Sequence, residues 1–430
     1  MALLLHRATW DVRIPGWRPP VRCGLLAAHR PEPTMPAPIP RPPIPLPLAG
    51  TIATLTLTRL AFGFQLQTVA TLGPDLMFLL ALDFAALGGL IGAYLAPGIF
   101  VALPSGFLAR RFGDRVVAVG SAWLIALGGA VAALAVQEEW GSVMIGLGRA
   151  IAGIGAVGMS VMQSKMAADR FPPKQLPAAM ALLLGMFPIG IGLAQLVLPP
   201  LAAAHGVASA FWLGAVGAGV AAALFSLAWT DAPHAAPRTL AWPSRREMGL
   251  VAIAGLIWMV YNAAWFNFMA WMPSLLAVRG HAPWVADTVL TLGTWANFPA
   301  MLLGGWIAAR YGRSLVFVAG TIVCTLSVAG PAVVDAPILW GIVFGTIAAM
   351  PGGLIVELGA MSCRPENRAV GMGIFYITYY IGGAAMPALC GAAADWLGDP
   401  GGALVLAAAV ALFGIPLWFL HARLRAGRPA

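Results

Sequence analysis

Charge is what this chain has least of. Only 10% of its 430 residues are Asp, Glu, Lys or Arg, while 60% are hydrophobic and the mean hydropathy is +0.85. A soluble domain carries about 25% charged residues, so a single large water-exposed globule is excluded. Cysteine is nearly as scarce. Cys23, Cys324, Cys363 and Cys390 form no CxxC pair, two of them fall at or within apolar runs and one lies in the N-terminal tail. That pattern supports neither a zinc site nor a disulfide framework. The histidines (His6, His29, His205, His234, His281 and His421) all map to tails or loops between apolar runs. No intramembrane proton relay through histidine is expected, and no metal-spaced cluster. Gly-x-Ser-x-Gly and Walker sequences are also missing, which counts against a membrane hydrolase or an ATP-driven pump in this chain. No cofactor or metal is expected.

What the chain does have is apolar runs of about 20 residues, the length a helix needs to cross a bilayer. Twelve spans are predicted near 51–73, 84–104, 116–136, 141–166, 178–202, 208–229, 248–272, 285–308, 314–333, 337–361, 369–393 and 402–421. With the N-terminus inside, Arg110, Arg111, Arg115, Lys165, Arg170, Lys174, Arg238, Arg245, Arg246, Arg310, Arg313, Arg364, Arg368, Arg423, Arg425 and Arg428 fall on the inner side. Arg279 alone falls outside, among Asp75, Asp83, Glu138, Glu139, Asp287, Asp335, Asp395 and Asp399. This is the positive-inside rule. The formal charge of +9 therefore reports topology, and a nucleic-acid partner is not expected. The partner is the lipid bilayer.

Residues 1–48 hold twelve prolines and six arginines without apolar periodicity. Proline supports neither helix nor sheet ladders, so a disordered or polyproline-like cytoplasmic segment is expected. Ala2–Leu5 is too short for a signal peptide, and an extension outside the fold, with Met35 a candidate start, is favoured over a lipid-touching arm. A second polar break, 230–247, carries Pro233, Pro237, Pro243 and an Arg pair, and it reads as a linker between two halves.

The halves repeat a phrase. Gly106–Arg115 reads GFLARRFGDR and Gly305–Ser314 reads GWIAARYGRS, with starts 199 residues apart (305 − 106). Each copy joins two apolar runs. A further echo follows spans four and ten, DRFPPKQLPAAMA from Asp169 and RPENRAVGMG from Arg364. Lys165 and Glu357 occupy matching places near the ends of those spans. In span four, Arg149-Ala-Ile-Ala-Gly153-Ile-Gly155 places an arginine at membrane depth. At 100° per residue, Gly146, Arg149, Gly153, Ala156, Ser160 and Gln163 share one face.

These features resemble the major facilitator superfamily of secondary transporters. The family's hairpin is Gly-x-x-x-Asp-Arg-x-Gly-Arg-Arg/Lys. Gly106, Arg111, Gly113 and Arg115 match it, with Arg110 at the Asp position and Asp114 at the first later Arg. In the second copy Gly305, Arg310, Gly312 and Arg313 match, with Ala309 at the Asp position. The Arg149 phrase is similar to the family's Arg-x-x-x-Gly-x-Gly in helix four. The resemblance implies an all-α integral membrane fold of twelve helices. They would form two pseudo-symmetric six-helix bundles at 49–229 and 248–421, with a basic tail at 422–430. It also implies alternating access, with gating by the two hairpins together with Lys165, Glu357 and Arg368. RLAFGFQLQ from Arg59 and RPENRAVGMGIFYITYY from Arg364 look most like bacterial cyanate/nitroimidazole anion porters.

Charges at membrane depth normally face a cavity or a partner. Thr56, Arg59, Gly63, Gln67 and Ala70 form a stripe in span one. Arg59 and Arg149 together place two positive charges in a half whose spans hold no acid. A small anionic solute is the expected partner. The alternatives are that Arg59 snorkels to headgroups and that Arg149 is a structural latch. Arg59, Gln67, Arg149, Ser160 and Gln163 are the candidate site from the first half. From the second come Tyr261, Asn262, Trp265, Trp295, Asn297, Tyr376 and Tyr380, which offer hydrogen bonds and stacking faces. Glu357, the one carboxylate well inside a predicted span, either titrates as the carrier of a coupling proton or pairs with Lys165 or Arg368 at the inner gate.

The expectation is a monomeric secondary transporter of the bacterial inner membrane, multi-pass, with both termini cytoplasmic, and not an enzyme. A multidrug efflux antiporter is the alternative; span five has Gly185, Pro188, Gly190 and Gly192 but no Gly-Pro dipeptide, which counts against it. An integral-membrane enzyme or a non-transporting sensor is the alternative from another class.

Overall fold

Runs of Ala, Leu, Val and Gly without water-seeking side chains leave backbone N–H and C=O groups to be satisfied internally, and in a bilayer the helix does this within one segment. A computed structural model of the chain describes residues 46–171, 176–229, 242–364 and 367–426, every regular element of which is helical. The first half holds α1 (Leu46–Thr71), α2 (Gly73–Leu80), α3 (Phe84–Ala93), α4 (Gly98–Phe112), α5 (Asp114–Gln137), α6 (Ser142–Arg170), α7 (Leu176–His205) and α8 (Val207–Ala228). The second holds α9 (Arg245–Val278), α10 (Pro283–Trp295), α11 (Asn297–Tyr311), α12 (Arg313–Val333), α13 (Pro337–Gly345), α14 (Pro351–Met361), α15 (Arg368–Leu397), α16 (Gly401–Leu412) and α17 (Gly414–Ala426). Among the described residues nine helical segments are long and apolar enough to cross a membrane. The three other predicted spans correspond to α1 and to the pairs α10–α11 and α13–α14.

Four spans expected to be continuous are broken: α3–α4, α10–α11, α13–α14 and α16–α17. The cause is local. Pro97 and Pro351 lack the N–H that would continue the ladder, and Gly414 opens α17. Nearly all of the Pro/Arg-rich segment at 1–48 lies outside the described residues. So do 230–241 of the linker, and the side chains of Arg110 and Arg368.

Within the first half α1 packs on α7 and α8, and α5 on α6 and α8. Within the second, α9 packs on α15 and α16, and α12 on α16. The halves meet through α3 against α15 and α7 against α10, spans two and eleven and spans five and eight, a pairing that keeps the pseudo-symmetry. The first seam rests on missing side chains. A Cβ at Gly88 would lie 2.2 Å from the carbonyl oxygen of Pro387, at Gly92 2.1 Å from that of Ala384, and at Gly391 2.2 Å from that of Phe84. Small residues four apart let helices approach to backbone contact where apolar burial alone gives lipid-solvated helices no reason to associate. At the end of this seam Asp395 accepts from the Phe84 and Ala85 N–H groups at 2.9 and 2.8 Å. It thereby caps α3 from the other half. Gln67 Nε2 adds a bond to Met269 O at 3.2 Å. All these contacts lie on the side of the molecule away from the hairpins.

Gly92→Val forces a branched side chain against a backbone oxygen that cannot swing aside. The expected cost is about 1–3 kcal/mol, read as a lowered thermal midpoint of the purified protein. Ala93→Val, one residue away on a half-exposed position, leaves the midpoint nearly unchanged.

Candidate functional site

The two candidate arginines have different surroundings. Where span two breaks, the N–H groups of Tyr94, Leu95 and Ala96 turn back to Gly92 O, so Leu90 O and Ile91 O lose their usual helical donors. Arg149, 3% exposed, fills the vacancy. Its Nε donates to Leu90 O at 2.6 Å and its Nη2 to Ile91 O at 3.4 Å. On the other side Nη1 donates to Gln65 O at 3.2 Å and Nη2 to Leu66 O at 3.1 Å. The guanidinium carbon sits 5.0 Å from the centroid of the Tyr94 ring. A planar fork of five donors suits two rows of carbonyls. Gly153 completes the arrangement, since a Cβ there would lie 2.0 Å from Tyr94 O, and Gly155 faces Ser121 O on α5 in the same way, at 2.4 Å. Arg149-x-x-x-Gly153-x-Gly155 is thus a packing device that ties α1, α3 and α5 to α6. Arg149 lies inside the first bundle, with its donors spent on backbone.

Arg59 on α1 stands at the meeting of the bundles. Its Nη1 donates to Ser160 Oγ at 2.6 Å, and its guanidinium carbon lies 5.3 Å from the ring centroids of both Phe62 and Phe187. From the second half, the phenols of Tyr376, Tyr379 and Tyr380 on α15 are within electrostatic reach. Its Nε is buried without a partner. Its direct contacts are a serine hydroxyl and two phenylalanine rings of its own bundle. Tyr379 and Tyr380 stack edge-on at 5.0 Å, and Trp258 lies over Tyr261, Phe375 and Tyr379 at 5.7, 6.1 and 6.2 Å. The indole N–H groups of Trp258 and Trp265 are likewise buried without partners.

The remaining candidates divide. Ser160 bonds Arg59, Tyr376 and Tyr380 lie within its electrostatic reach, and Trp265 extends the aromatic wall through Phe266, whose ring lies 5.8 Å from Tyr379. Gln163 instead ties helices together, donating to Thr58 Oγ1 and Leu55 O at 2.8 and 3.2 Å. Gln67 belongs to the seam described above. Tyr261 donates to Ala348 O at 3.0 Å, inside the break between α13 and α14. Asn262 donates back along its own helix to Trp258 O at 2.8 Å. Trp295 packs on Gly192 between α7 and α10, and Asn297 opens α11. Phe62, Phe187 and Tyr379 were not among the sequence candidates. Tyr379 carried a readable signal, since 376, 379 and 380 are i, i+3 and i+4 on one helix face; Phe187 on α7 carried none.

The hairpins place glycines where only they fit easily. Gly113 at φ 89° and Gly312 at φ 104° lie in the left-handed region, just before α5 and α12. Gly106 and Gly305 face open space, so neither makes a close helix approach in this conformation. Arg111 and Arg310 lie against Phe112 and Tyr311, and Arg115 donates to Ser226 O at 3.2 Å. Glu357 was expected to pair with Lys165 or Arg368; among the described side chains, which do not include that of Arg368, each of the two acids instead pairs inside its own half. Asp114 binds Lys165, and Arg313 Nη2 binds Glu357 Oε1 at 2.7 Å. The two copies have exchanged charge: acid on the hairpin and base on α6 in one, base on the hairpin and acid on α14 in the other. His421, mapped with the other histidines to a tail or loop, is instead buried in α17, with Nε2 2.9 Å from Ser362 Oγ. Glu247 was missed altogether. It closes a capping box with Ser244 and accepts from the Arg364 N–H and Asn367 Nδ2 at 2.9 and 3.0 Å. Among the described residues no group of three or more His, Cys, Asp or Glu is placed to hold a metal.

The sequence model of the Major Facilitator Superfamily matches residues 55–359, and the chain belongs to that family. It is an integral multi-pass membrane protein and a transporter, not an enzyme. Among curated proteins none matches the sequence. Solved structures with the same fold include a D-xylose–proton symporter (15% identity, 85% of this chain and 97% of that one, TM-score 0.69). The nucleoside transporter NupG is similar at 16% identity, over 86% and 99%, TM-score 0.68. A POT family transporter in complex with a thioalcohol-conjugated peptide is similar at 11%, over 87% and 96%, TM-score 0.70.

Two expectations test these placements. Arg149→Ala orphans the carbonyls of Leu90 and Ile91, at about 1–3 kcal/mol for each unsatisfied group; it is expected to lower the unfolding midpoint severely, with Arg149→Lys recovering only part. Exchanging Arg313 and Glu357 in a double variant restores what either single reversal loses. Because both side chains are about half exposed (51% and 43%), the coupling read from the cycle is about 0.2–1 kcal/mol.

Proposed function

We propose that this transporter carries a small anionic solute, held at Arg59 where the two bundles meet. The observation that carries the reading is a part-buried arginine bonded to a serine hydroxyl and set beside two phenylalanine rings, with three phenols of the other half within electrostatic reach and its Nε buried without a partner. Removing a cation from water costs several kcal/mol even after relaxation, and an anion that binds there offsets that cost. The other unspent groups nearby, the Trp258 and Trp265 N–H groups, are donors only, which suits a solute built of acceptors such as a carboxylate or an oxyanion. Arg59 belongs to one bundle and the tyrosines to the other, so a solute held between them favours the closed approach of the halves. The bundles would then rock about the site to expose it to each side in turn.

Glu357 is bound to Arg313 and half exposed, which makes it a poor carrier of a proton through the centre; we therefore assign no coupling proton to it. The arginine-rich face is read as cytoplasmic, with both termini there, on the positive-inside argument. A neutral solute stacked on the aromatic wall is the second reading, favoured by the run from Trp258 to Tyr380.

Counterflow in proteoliposomes tests the proposal, with small carboxylates, inorganic oxyanions, sugars, nucleosides and organic cations as the panel. Anions are expected to exchange, and to continue doing so when an ionophore collapses the pH gradient. Arg59→Gln is expected to cut that exchange by about 10- to 100-fold, the worth of one charge-assisted hydrogen-bonding group, while leaving the unfolding midpoint near that of the parent. Movement of sugars or nucleosides but not anions would sink the anion reading.

A further inference from the structure

The second hairpin carries a cavity of about 350 Å³, between the first turn of α12, the end of α14 and α17. That size falls within the range of small-molecule sites. Its rim is polar, with Arg313, Ser314 and Arg425. Its walls are apolar, from Leu354, Leu358, Met361 and Trp418. Trp418 is fixed in place, stacked on Phe317 at 4.2 Å with its Nε1 donating to Ser314 Oγ at 3.1 Å. His421 closes the inner end, held by Ser362.

The charges do not balance. Two arginines line the cavity against one carboxylate, Glu357, which Arg313 already engages. The helix start beside them adds to the excess. In the first copy of the hairpin Asp114 occupies the first turn of α5, where a carboxylate complements the positive end of the helix. In the second copy Arg313 stands at that place and α12 has neither an acid in its first turn nor a side-chain cap. A hairpin that exchanged its acid for a base thus opens on an apolar-walled cavity with surplus positive charge.

We infer that this cavity binds the phosphate headgroup of an anionic amphiphile, with Arg425 and Ser314 meeting the phosphate and Leu354, Leu358 and Trp418 the first carbons of the chain. The ligand is independent of whatever solute passes Arg59. The same phosphate chemistry could be met by free phosphate, but a free ion would leave the apolar walls uncovered, and the basic face of the fold is where headgroups lie.

Native mass spectrometry of the full chain in detergent, with dioleoyl-phosphatidylglycerol or dioleoyl-phosphatidylcholine added, tests the assignment. The first is expected to be retained in preference, and Arg425→Gln to weaken its retention about fivefold, the effect of one basic residue near a headgroup. Arg425→Lys keeps most of the binding, and Ala422→Trp, which fills the cavity, abolishes it. Arg115→Gln, on the first hairpin and bonded to Ser226 O, leaves it unchanged. Equal retention of the two lipids, or retention indifferent to both Arg425→Gln and Ala422→Trp, would overturn the site. Thermal stabilisation by sodium phosphate as large as that by phosphatidylglycerol would overturn the lipid as its occupant.

Discussion

The first bundle depends on a helix that does not run through. Pro97 and the turn before it interrupt span two at membrane depth, where a carbonyl without a donor is expensive because no water is at hand to replace it. Arg149 supplies that donor, and because its fork is wider than the gap it binds α1 at the same time. The glycines that follow it let the broken helix and α5 come close enough for the fork to reach. A charge that would be costly alone becomes stabilising because the fold has freed carbonyls at the same depth. The second half solves a similar problem with a neutral group, Tyr261 on Ala348 O in the α13–α14 break. The two halves therefore share a shape but not a chemistry.

That difference sets what each half gives to the centre. With Arg149 committed to backbone, the first bundle presents one cation, Arg59. The second presents rings and phenols, three of the latter within electrostatic reach of that guanidinium. The centre is asymmetric in charge though pseudo-symmetric in fold, and a solute bridging the halves must satisfy both.

Much of this was legible in the sequence. The spans, the two hairpins and the halves follow from hydropathy and repetition, because bilayer thickness and the positive-inside rule act on composition directly. The stripe through Arg59 was visible for the same reason. Arg149 was not readable to its end: its helical face was clear, but a helical wheel does not say which neighbour that face meets, nor that Pro97 would free the carbonyls it binds. Glu357 shows the same limit. Its place near the end of a span suggested Lys165 of the other half or Arg368 of its own as a partner, whereas it is Arg313 that it pairs with. Phe187 depends on contacts far along the chain, which local pattern does not encode; for Glu247 the Ser244-x-x-Glu247 capping box was a readable local signal, and only its bonds to Arg364 and Asn367 were not.

The exchange of charge between the hairpins bears on how the halves move. An ion pair that crossed from one half to the other would have to break as the bundles rock. Asp114–Lys165 and Arg313–Glu357 each stay inside one half, so both are able to persist through the cycle and keep the hairpin fixed to its own bundle. Contacts between the halves lie instead in the seam of Gly88, Gly92 and Gly391 and at the Asp395 cap on α3. Backbone-to-backbone contact between small residues can slide without stranding a charge, and the α3 N–H groups that Asp395 leaves would be met by water at the membrane surface. In this structure each hairpin is tied to its own bundle, and the seam between α3 and α15 is where the halves come into backbone contact.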